Sequence, residues 1–428
     1  MERQEQSLDI SRWKIKGKRV LADLKSFLIN LAMAILIGIL IGGYCSVFGI
    51  LIKIVSQIRE KNPPLLFLLP FGGLVIVAIY YGAGIKKSRG TNRILESIFT
   101  GEIIPLKATP LITIATVITH LFGGSAGREG AALQIGGSIG NYLGLGFKLE
   151  QKDVTILTMC GMSAAFSALF GTPLAACIFS MEVISIGIMH YSAIVPCAVS
   201  AILGAHISLF MGLKPEHFPV KEIPFLTVDK GLSILIFAIV CAVVSYIFCV
   251  LLHISEKSFQ KYFKNAFARV FVGGCLVILF SLLLGSRDYN GAGMDLIEKM
   301  VEGEGLPTWG FVAKMFLTAL TLGAGYKGGE IVPTIFVGAA LGSLIGPFLG
   351  LPIGFGAALG ICGLFCGVTN CPLTAIVLSF ELFGFEGMPY FLLVAAISYR
   401  LSGYTSLYKG QKIMYSKSKP EYINRHPH

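Results

Sequence analysis

The sequence predicts an all-α polytopic membrane protein built from two inverted-topology repeats, with broken, re-entrant helices inside the membrane. Three observations point there. Of the 428 residues, 54% are hydrophobic and only 14% charged, against about 25% charged in a soluble domain. Apolar runs of roughly membrane length recur along almost the whole chain. A set of short motifs occurs twice, in the same order. This composition excludes an ordinary soluble enzyme and a disordered scaffold. The 51 glycines are more than simple bundle helices use; they suit close helix contacts and helices that break in the membrane.

Residues 1–22 are polar and basic and predict a cytoplasmic surface helix. The run from Phe27 to Ile58 predicts one long, tilted membrane helix, too long for the apolar core of a signal peptide. Further apolar segments lie at 64–81, 109–123, 130–146, 153–169, 172–189, 192–212, 231–254, 268–285, 308–323, 332–349, 351–368, 372–384 and 388–402. Several, at about 13 to 17 residues, are too short to cross a core of about 30 Å upright. Short, glycine-broken segments at matching places in two halves mark the binding site of a transporter.

The matching halves are legible. Pro173-Leu174-Ala175-Ala176-Cys177-Ile178-Phe179-Ser180-Met181-Glu182 reads against Pro372-Leu373-Thr374-Ala375-Ile376-Val377-Leu378-Ser379-Phe380-Glu381, with Pro, Leu, Ala, Ser and Glu at identical offsets. Upstream, Cys160-Gly161 matches Cys362-Gly363, and Gly127-Arg128-Glu129-Gly130 matches Gly328-Gly329-Glu330. The chain therefore divides into a first transmembrane repeat over 23–215 and a second over 228–415. A polar stretch around Lys214 to Lys230 joins them, and a cytoplasmic tail spans 416–428. An odd number of crossings per half would set the halves upside down relative to each other.

The net charge is +11, from 35 Lys and Arg against 24 Asp and Glu. The basic residues cluster at Arg12, Lys14, Lys16, Lys18 and Arg19, and at Lys409, Lys412, Lys417 and Lys419. Basic flanks mark the cytoplasmic side, so both termini are expected there, with the chain multi-pass in the cell's inner membrane. No basic face interleaved with aromatics is present for nucleic acid. The ten cysteines lie mostly in apolar runs. Cys362, Cys366 and Cys371 have no nearby His or carboxylate, and read as small buried residues and not as a metal site. No cofactor and no enzymatic activity are expected. Without a phosphate-binding loop, transport is expected to run on gradients.

Three segments carry chemistry. In Gly123-Gly124-Ser125-Ala126-Gly127-Arg128-Glu129-Gly130-Ala131-Ala132-Leu133-Gln134 a glycine-rich turn runs straight into an apolar helix. The first turn of a helix carries unpaired N–H groups and the positive end of the macrodipole. Buried in lipid, those groups want an anion. Glu129 can fill that place itself and, when protonated, leave it to an external anion; alternatively it caps the helix and pairs with Arg128. Intramembrane carboxylates favour the functional reading. Gly325-Tyr326-Lys327-Gly328-Gly329-Glu330-Ile331-Val332-Pro333 repeats the design. Ile331 and Val332 offer N–H groups to the same anion, and Pro333 suits a first turn. Glu330 is either a second proton carrier or a partner for Lys327. In Ser88-Arg89-Gly90-Thr91-Asn92-Arg93-Ile94-Leu95-Glu96 the Thr91 hydroxyl is either a plain N-cap or an anion donor. Glu182 and Glu381 read as structural carboxylates near helix ends, and His120 as a hydrogen-bonded structural histidine.

These residues resemble the CLC family of chloride channels and anion/proton antiporters over roughly residues 25–413. Gly127-Arg128-Glu129-Gly130 is similar to the family's Gly-(Lys/Arg)-Glu-Gly motif, whose Glu is the gate. Gly328-Gly329-Glu330-Ile331-Val332-Pro333 stands where the family has Gly-Gly-x-Phe-x-Pro, and Gly171-Thr172-Pro173 and Cys371-Pro372 resemble its paired helix starts. Leu407-Tyr408 resembles its central tyrosine, whose hydroxyl helps hold the inner anion. The resemblance implies a homodimer with one anion pathway per subunit. With the helix-start reading above, the residues expected to gate and transfer protons are Glu129 and Glu330, and those expected to bind the anion are Thr91, Asn92, Arg128, Gly130, Ile331, Val332 and Tyr408. Since the sequence ends at His428, the nucleotide-binding regulatory domain of many relatives is not expected.

There are departures. The family's Gly-Ser-Gly-Ile-Pro reads Gly90-Thr91-Asn92-Arg93-Ile94 here, and Val183 stands where chloride antiporters often carry an inner glutamate. Lys327-Gly328-Gly329-Glu330, and Gly130-Ala131 without the usual Pro, look like the bacterial fluoride/proton branch. The expected function is halide transport in exchange for protons, leaning to fluoride. The alternatives are chloride/proton exchange, then a passive chloride channel; a scaffold or receptor would need no buried helix starts.

Overall fold

The computed structural model describes residues 2–85 and 89–427, with side chains from Val20 onward, Ala22 excepted. Ser88 and the side chains of Arg12 to Arg19 thus lie outside the described residues. The first half holds α1 (Glu2–Lys61), α2 (Leu69–Gly82), α3 (Thr91–Thr100), α4 (Ala108–Leu121), α5 (Glu129–Gly146), α6 (Gln151–Phe170), α7 (Pro173–Glu182), the short strand β1 (Ser185–Ile186) and α8 (Ile194–Phe210). The second half holds α9 (Val228–Tyr262), α10 (Ala266–Leu283), α11 (Met294–Glu302), α12 (Gly310–Ala324), α13 (Ile331–Ile345), α14 (Ile353–Thr369), α15 (Pro372–Phe383), α16 (Met388–Leu401), β2 (Lys412–Tyr415) and β3 (Tyr422–Arg425).

Among the described residues, eight α-helices follow one another in each half, and each helix of the first half has its counterpart eight places later. A long helix opens each half (α1, α9), a short amphipathic one stands third (α3, α11), and a proline-headed one stands seventh (α7, α15). Packing repeats as well: α5 lies on α6 as α13 lies on α14, and α1 on α8 as α9 on α16. The halves meet where α2 touches α10, α7 touches α15, and α5 touches α13. Among the described residues, six spans are long and apolar enough to cross a membrane, including Asp23–Lys61, Val228–Tyr262 and Ala266–Leu283. Helices such as α5, α6, α13 and α14 are buried almost throughout, so their sequences are apolar on every face and show no amphipathic stripe.

Glycine makes that burial possible. A Cβ at Gly136 would stand 2.0 Å from the Gly161 carbonyl oxygen, and one at Gly161 would stand 2.1 Å from that of Gly136. The second half repeats the contact, with 2.5 Å from Gly338 to the Gly360 oxygen and 2.0 Å from Gly342 to that of Gly356. Each glycine costs its helix about 0.5–1 kcal/mol relative to Ala, and backbone-to-backbone packing offsets this where lipid offers no hydrophobic drive.

Several expectations need correction. The backbone runs as one helix from Glu2 to Lys61, so no break separates a surface helix over 1–22 from the membrane helix. The segment 172–189 is a helix only to Glu182, then a short strand. The helix α11 was not anticipated, because nine amphipathic residues give no long apolar run. After residue 415 the chain adds a strand: β3 pairs antiparallel with β2, which pairs parallel with β1. Lys417 is drawn in with them, its ammonium donating to Asn370 Oδ1 and, at 2.9 Å, to the Tyr399 carbonyl.

Two glycine variants separate packing from propensity. Gly161→Ala forces α5 and α6 apart and should lower unfolding free energy by about 1–3 kcal/mol. Gly43→Ala, where an added Cβ meets nothing within 4 Å, should leave stability unchanged or raise it by up to about 1 kcal/mol. Thermal unfolding in detergent, followed by size-exclusion chromatography, reads both.

Candidate functional site

The site begins with two hydrogen bonds. Gly127 N–H donates to the Gly329 carbonyl and Gly329 N–H donates to the Gly127 carbonyl, each at 2.7 Å. Side chains cannot fit here: a Cβ at Gly329 would lie 2.4 Å from Gly130 N, and one at Gly130 would lie 2.8 Å from Gly329 Cα. The bridge ties the turn before α5 to the turn before α13 and so brings two helix starts together in the protein interior. It also resets the register of the repeat. Arg128 and Glu330 are the two N-caps, so the counterpart of Glu330 is Arg128, and that of Glu129 is Ile331, the first residue of α13. Matching Glu129 to Glu330 by residue type was one position off.

Glu129 is fully buried. Its Oε2 accepts the Arg128 N–H at 3.1 Å, and Arg128 Nε stands 3.3 Å from Oε1. A Cβ built on Gly127 would lie 3.1 Å from Glu129 Oε2 and 3.0 Å from both Val332 Cβ and Pro333 Cδ. The carboxylate is therefore turned back onto its own helix start and toward the first turn of α13. Glu129 thus pairs with Arg128 while standing at the helix start. Arg128 has a second acid, Glu216, whose Oε1 accepts from Nη2 at 2.8 Å. Glu216 sits in the polar stretch between the repeats, and no motif announced it. Glu330 Oε2 lies 3.3 Å from where a Gly130 Cβ would be, on the other side of the bridge. Among the described residues it makes no ion pair with Lys327, whose ammonium stands over the Tyr80 ring at 5.1 Å instead.

Thr91 is not the N-cap of α3. That place is taken by Gly90 at φ 57° and ψ −142°, a conformation glycine tolerates. As the first helical residue, Thr91 sends its hydroxyl 3.3 Å to the Gly130 carbonyl, one residue past Glu129. Gln134 Nε2 donates to that same carbonyl at 3.1 Å and to Thr91 Oγ1 at 3.4 Å. A cavity of about 30 Å³ between Tyr80, Gly90, Arg93, Gln134 and Ser138 reaches this cluster from one side. Asn92 does structural work: its Oδ1 accepts the Gly410 N–H at 2.9 Å. That bond holds the segment carrying Tyr408 against α3. Tyr408 is 1% exposed, and its hydroxyl has no hydrogen-bond partner among the described residues. A buried phenol usually finds a partner, and leaving one bare costs about 1–3 kcal/mol. Gln411 anchors this segment from below, donating to the carbonyls of Val183 at 2.9 Å and Thr369 at 3.0 Å.

Four helix starts face the interface between the repeats, and they divide into two kinds. At α15, Glu182 accepts from Leu373 N (3.0 Å), Thr374 N (2.8 Å) and Thr374 Oγ1 (2.6 Å). At α7, Glu381 accepts from Leu174 N (2.9 Å) and Ala175 N (2.8 Å). Each half thus supplies the counter-charge for the other half's helix. Among the described residues, none of the opposite half accepts a hydrogen bond in this way at α5 or α13. The N–H groups of Ile331 and Val332 meet no side-chain acceptor among the described residues, and α5 has only its own Glu129. Helix starts of this kind attract an anion.

The chain is similar to known proteins in sequence and fold. A family model described as voltage gated chloride channel matches residues 72–403. A chloride/fluoride channel protein of Pseudomonas syringae pv. tomato is 34% identical over 394 residues, covering 90% of this chain and 87% of its own. The crystal structure of a CLC-type fluoride/proton antiporter superposes with a TM-score of 0.88 at 32% identity, over 90% of this chain and 98% of that one. The crystal structure of a slow cyanobacterial Cl−/H+ antiporter, at 21% identity, shares the fold with a TM-score of 0.72 over 87% of this chain and 94% of that one.

Replacing Glu182 or Glu381 by Gln removes the charge from a doubly bonded helix start. Each variant should lower stability by about 1.5–3 kcal/mol in thermal unfolding, with the ratio of fluoride to chloride flux unchanged in the protein that remains folded.

Proposed function

Because the chain belongs to the CLC family, the voltage gated chloride channel family, we propose that it is a secondary transporter that moves a halide in exchange for protons, fluoride before chloride. The observation that carries this reading is the buried Glu129 carboxylate at the Gly127–Gly329 bridge, beside two helix starts that the opposite repeat leaves without a counter-charge. Ionised, Glu129 occupies the anion's place. Protonated, it loses its attraction to the Arg128 N–H and the α13 start, swings out, and admits a halide. A positive helix end contributes about 0.3–1 kcal/mol, and up to about 2 kcal/mol when partly buried. Two such ends and a desolvated carboxylate make the exchange a close competition. The bare Tyr408 hydroxyl and the Thr91 hydroxyl are donors for the anion further in, with Arg128, Gly130, Ile331 and Val332 around the outer position. Asn92 contributes by positioning Tyr408. Glu330, on the far side of the bridge, is the second proton carrier.

The fluoride preference is supported by the kinship to a protein named a chloride/fluoride channel and to one titled a fluoride/proton antiporter. It is also supported by physics: a small, strongly hydrated ion gains most from a narrow ring of donors. Chloride/proton exchange is the second reading, favoured by the hydroxyl that Thr91 keeps. Val183, buried where an inner glutamate would stand in a chloride antiporter, favours uncoupled flow as the third. The working form is a homodimer with a pathway in each subunit, lying in the cell's inner membrane with both termini cytoplasmic, as the terminal lysines and arginines suggest.

In liposomes, fluoride efflux should exceed chloride efflux by at least about tenfold, the factor that 1.4 kcal/mol of selectivity gives. An imposed fluoride gradient should drive protons uphill, read by a fluoride electrode and a pH dye. Equal fluxes would remove the preference for fluoride, and absent proton movement would make the protein a channel. Glu129→Gln should abolish proton coupling and flatten the dependence of flux on external pH; an unchanged pH profile would take the gate away from Glu129.

A further inference from the structure

On the outer surface of the second half, α9, α10 and α12 enclose a groove of about 310 Å³. Its walls are Ile254, Phe259 and Tyr262 of α9, Leu276 of α10, and Phe316 and Leu320 of α12. Ser255, one of two serines in the lining, spends its hydroxyl on the Ala319 carbonyl at 2.6 Å and so offers the groove nothing polar. Both flanking helices are apolar enough to span a membrane, and Ile254 is 55% exposed, so hydrocarbon is what meets this surface.

One end of the groove is basic. Arg269 precedes Leu276 by seven residues, two turns along the same face of α10. Lys261 is exposed, its ammonium 5.7 Å from the ring centroid of Tyr262, which closes the groove at that end. Lys264 is exposed in the turn between α9 and α10. The nearby acid, Glu256, is engaged by Lys409 at 2.5 Å. An aromatic ring at the polar boundary and a basic pocket between membrane helices together fit a lipid whose head carries negative charge.

We infer that this groove is a binding site for one anionic phospholipid, with an acyl chain lying between Leu276, Phe316 and Leu320 and the phosphate between Arg269 and Lys261. The site touches the transport machinery at one point. Arg269 Nε donates to the Ala324 carbonyl at 3.3 Å, the last residue of α12 and the start of the loop that leads to Glu330. A phosphate bound to Arg269 therefore holds the C-terminal end of α12 from outside. The site needs only that the chain sits in a bilayer, so it stands or falls apart from the transported ion.

Native mass spectrometry of the purified assembly, equilibrated with equal amounts of phosphatidylglycerol and phosphatidylcholine of the same acyl chains, tests it. Phosphatidylglycerol should be retained in preference, by about fivefold for each basic residue engaged. Lys261→Gln and Arg269→Gln should each lower that ratio about fivefold, and Leu276→Trp should lower retention of both lipids. The Lys261 side chain makes no hydrogen bond to the rest of the described chain, so its variant reports even if Arg269→Gln fails to fold. Equal retention of the two lipids by the native protein overturns the site, as does an unchanged ratio in Lys261→Gln or unchanged retention in Leu276→Trp.

Discussion

The structure depends on one small contact, the pair of backbone hydrogen bonds between Gly127 and Gly329. It is made by main chain alone, in a position where no side chain fits. From it follows the placement of α5 and α13, whose starts converge on a buried carboxylate. In water such helix ends would be satisfied by solvent. In a bilayer they must be satisfied by protein or by something passing through, and that constraint turns a folding problem into a binding site.

The same constraint is met in two ways in one molecule. The starts of α7 and α15 are given permanent counter-charges in Glu381 and Glu182. Among the described residues, the start of α5 receives only the side chain of its own first residue. A carboxylate held by the opposite repeat makes a joint, and one carried by the helix it serves is the gate we propose; the chemistry is the same, and what differs is which element the acid belongs to.

Much of this could be read from the sequence, because glycine before a helix, proline at its first turn and an acid at its start are local signals. Glu129, the α13 start and the paired Pro173 and Pro372 helices are all of that type. The duplication was visible too, but not its register. Glu129 and Glu330 share a residue type, whereas the helix starts they belong to are offset by one, and only the backbone bridge reveals it. Gln134 and Glu216 act through partners 43 and 88 residues away in sequence, so no spacing marked them. The β1–β2–β3 sheet and α11 escaped because two to nine residues give too little periodicity in a chain dominated by apolar runs.

The crossed carboxylates have a consequence for how the molecule is made. When the first half has been synthesised, Glu381 does not yet exist, and the start of α7 stands in the membrane with its N–H groups of Leu174 and Ala175 bare. That half is therefore incomplete until residues beyond 372 emerge, which delivers the missing acid and at the same moment consumes Glu182. The two halves are locked by mutual debt at opposite ends, and a duplication of this kind resists being reduced again to one copy.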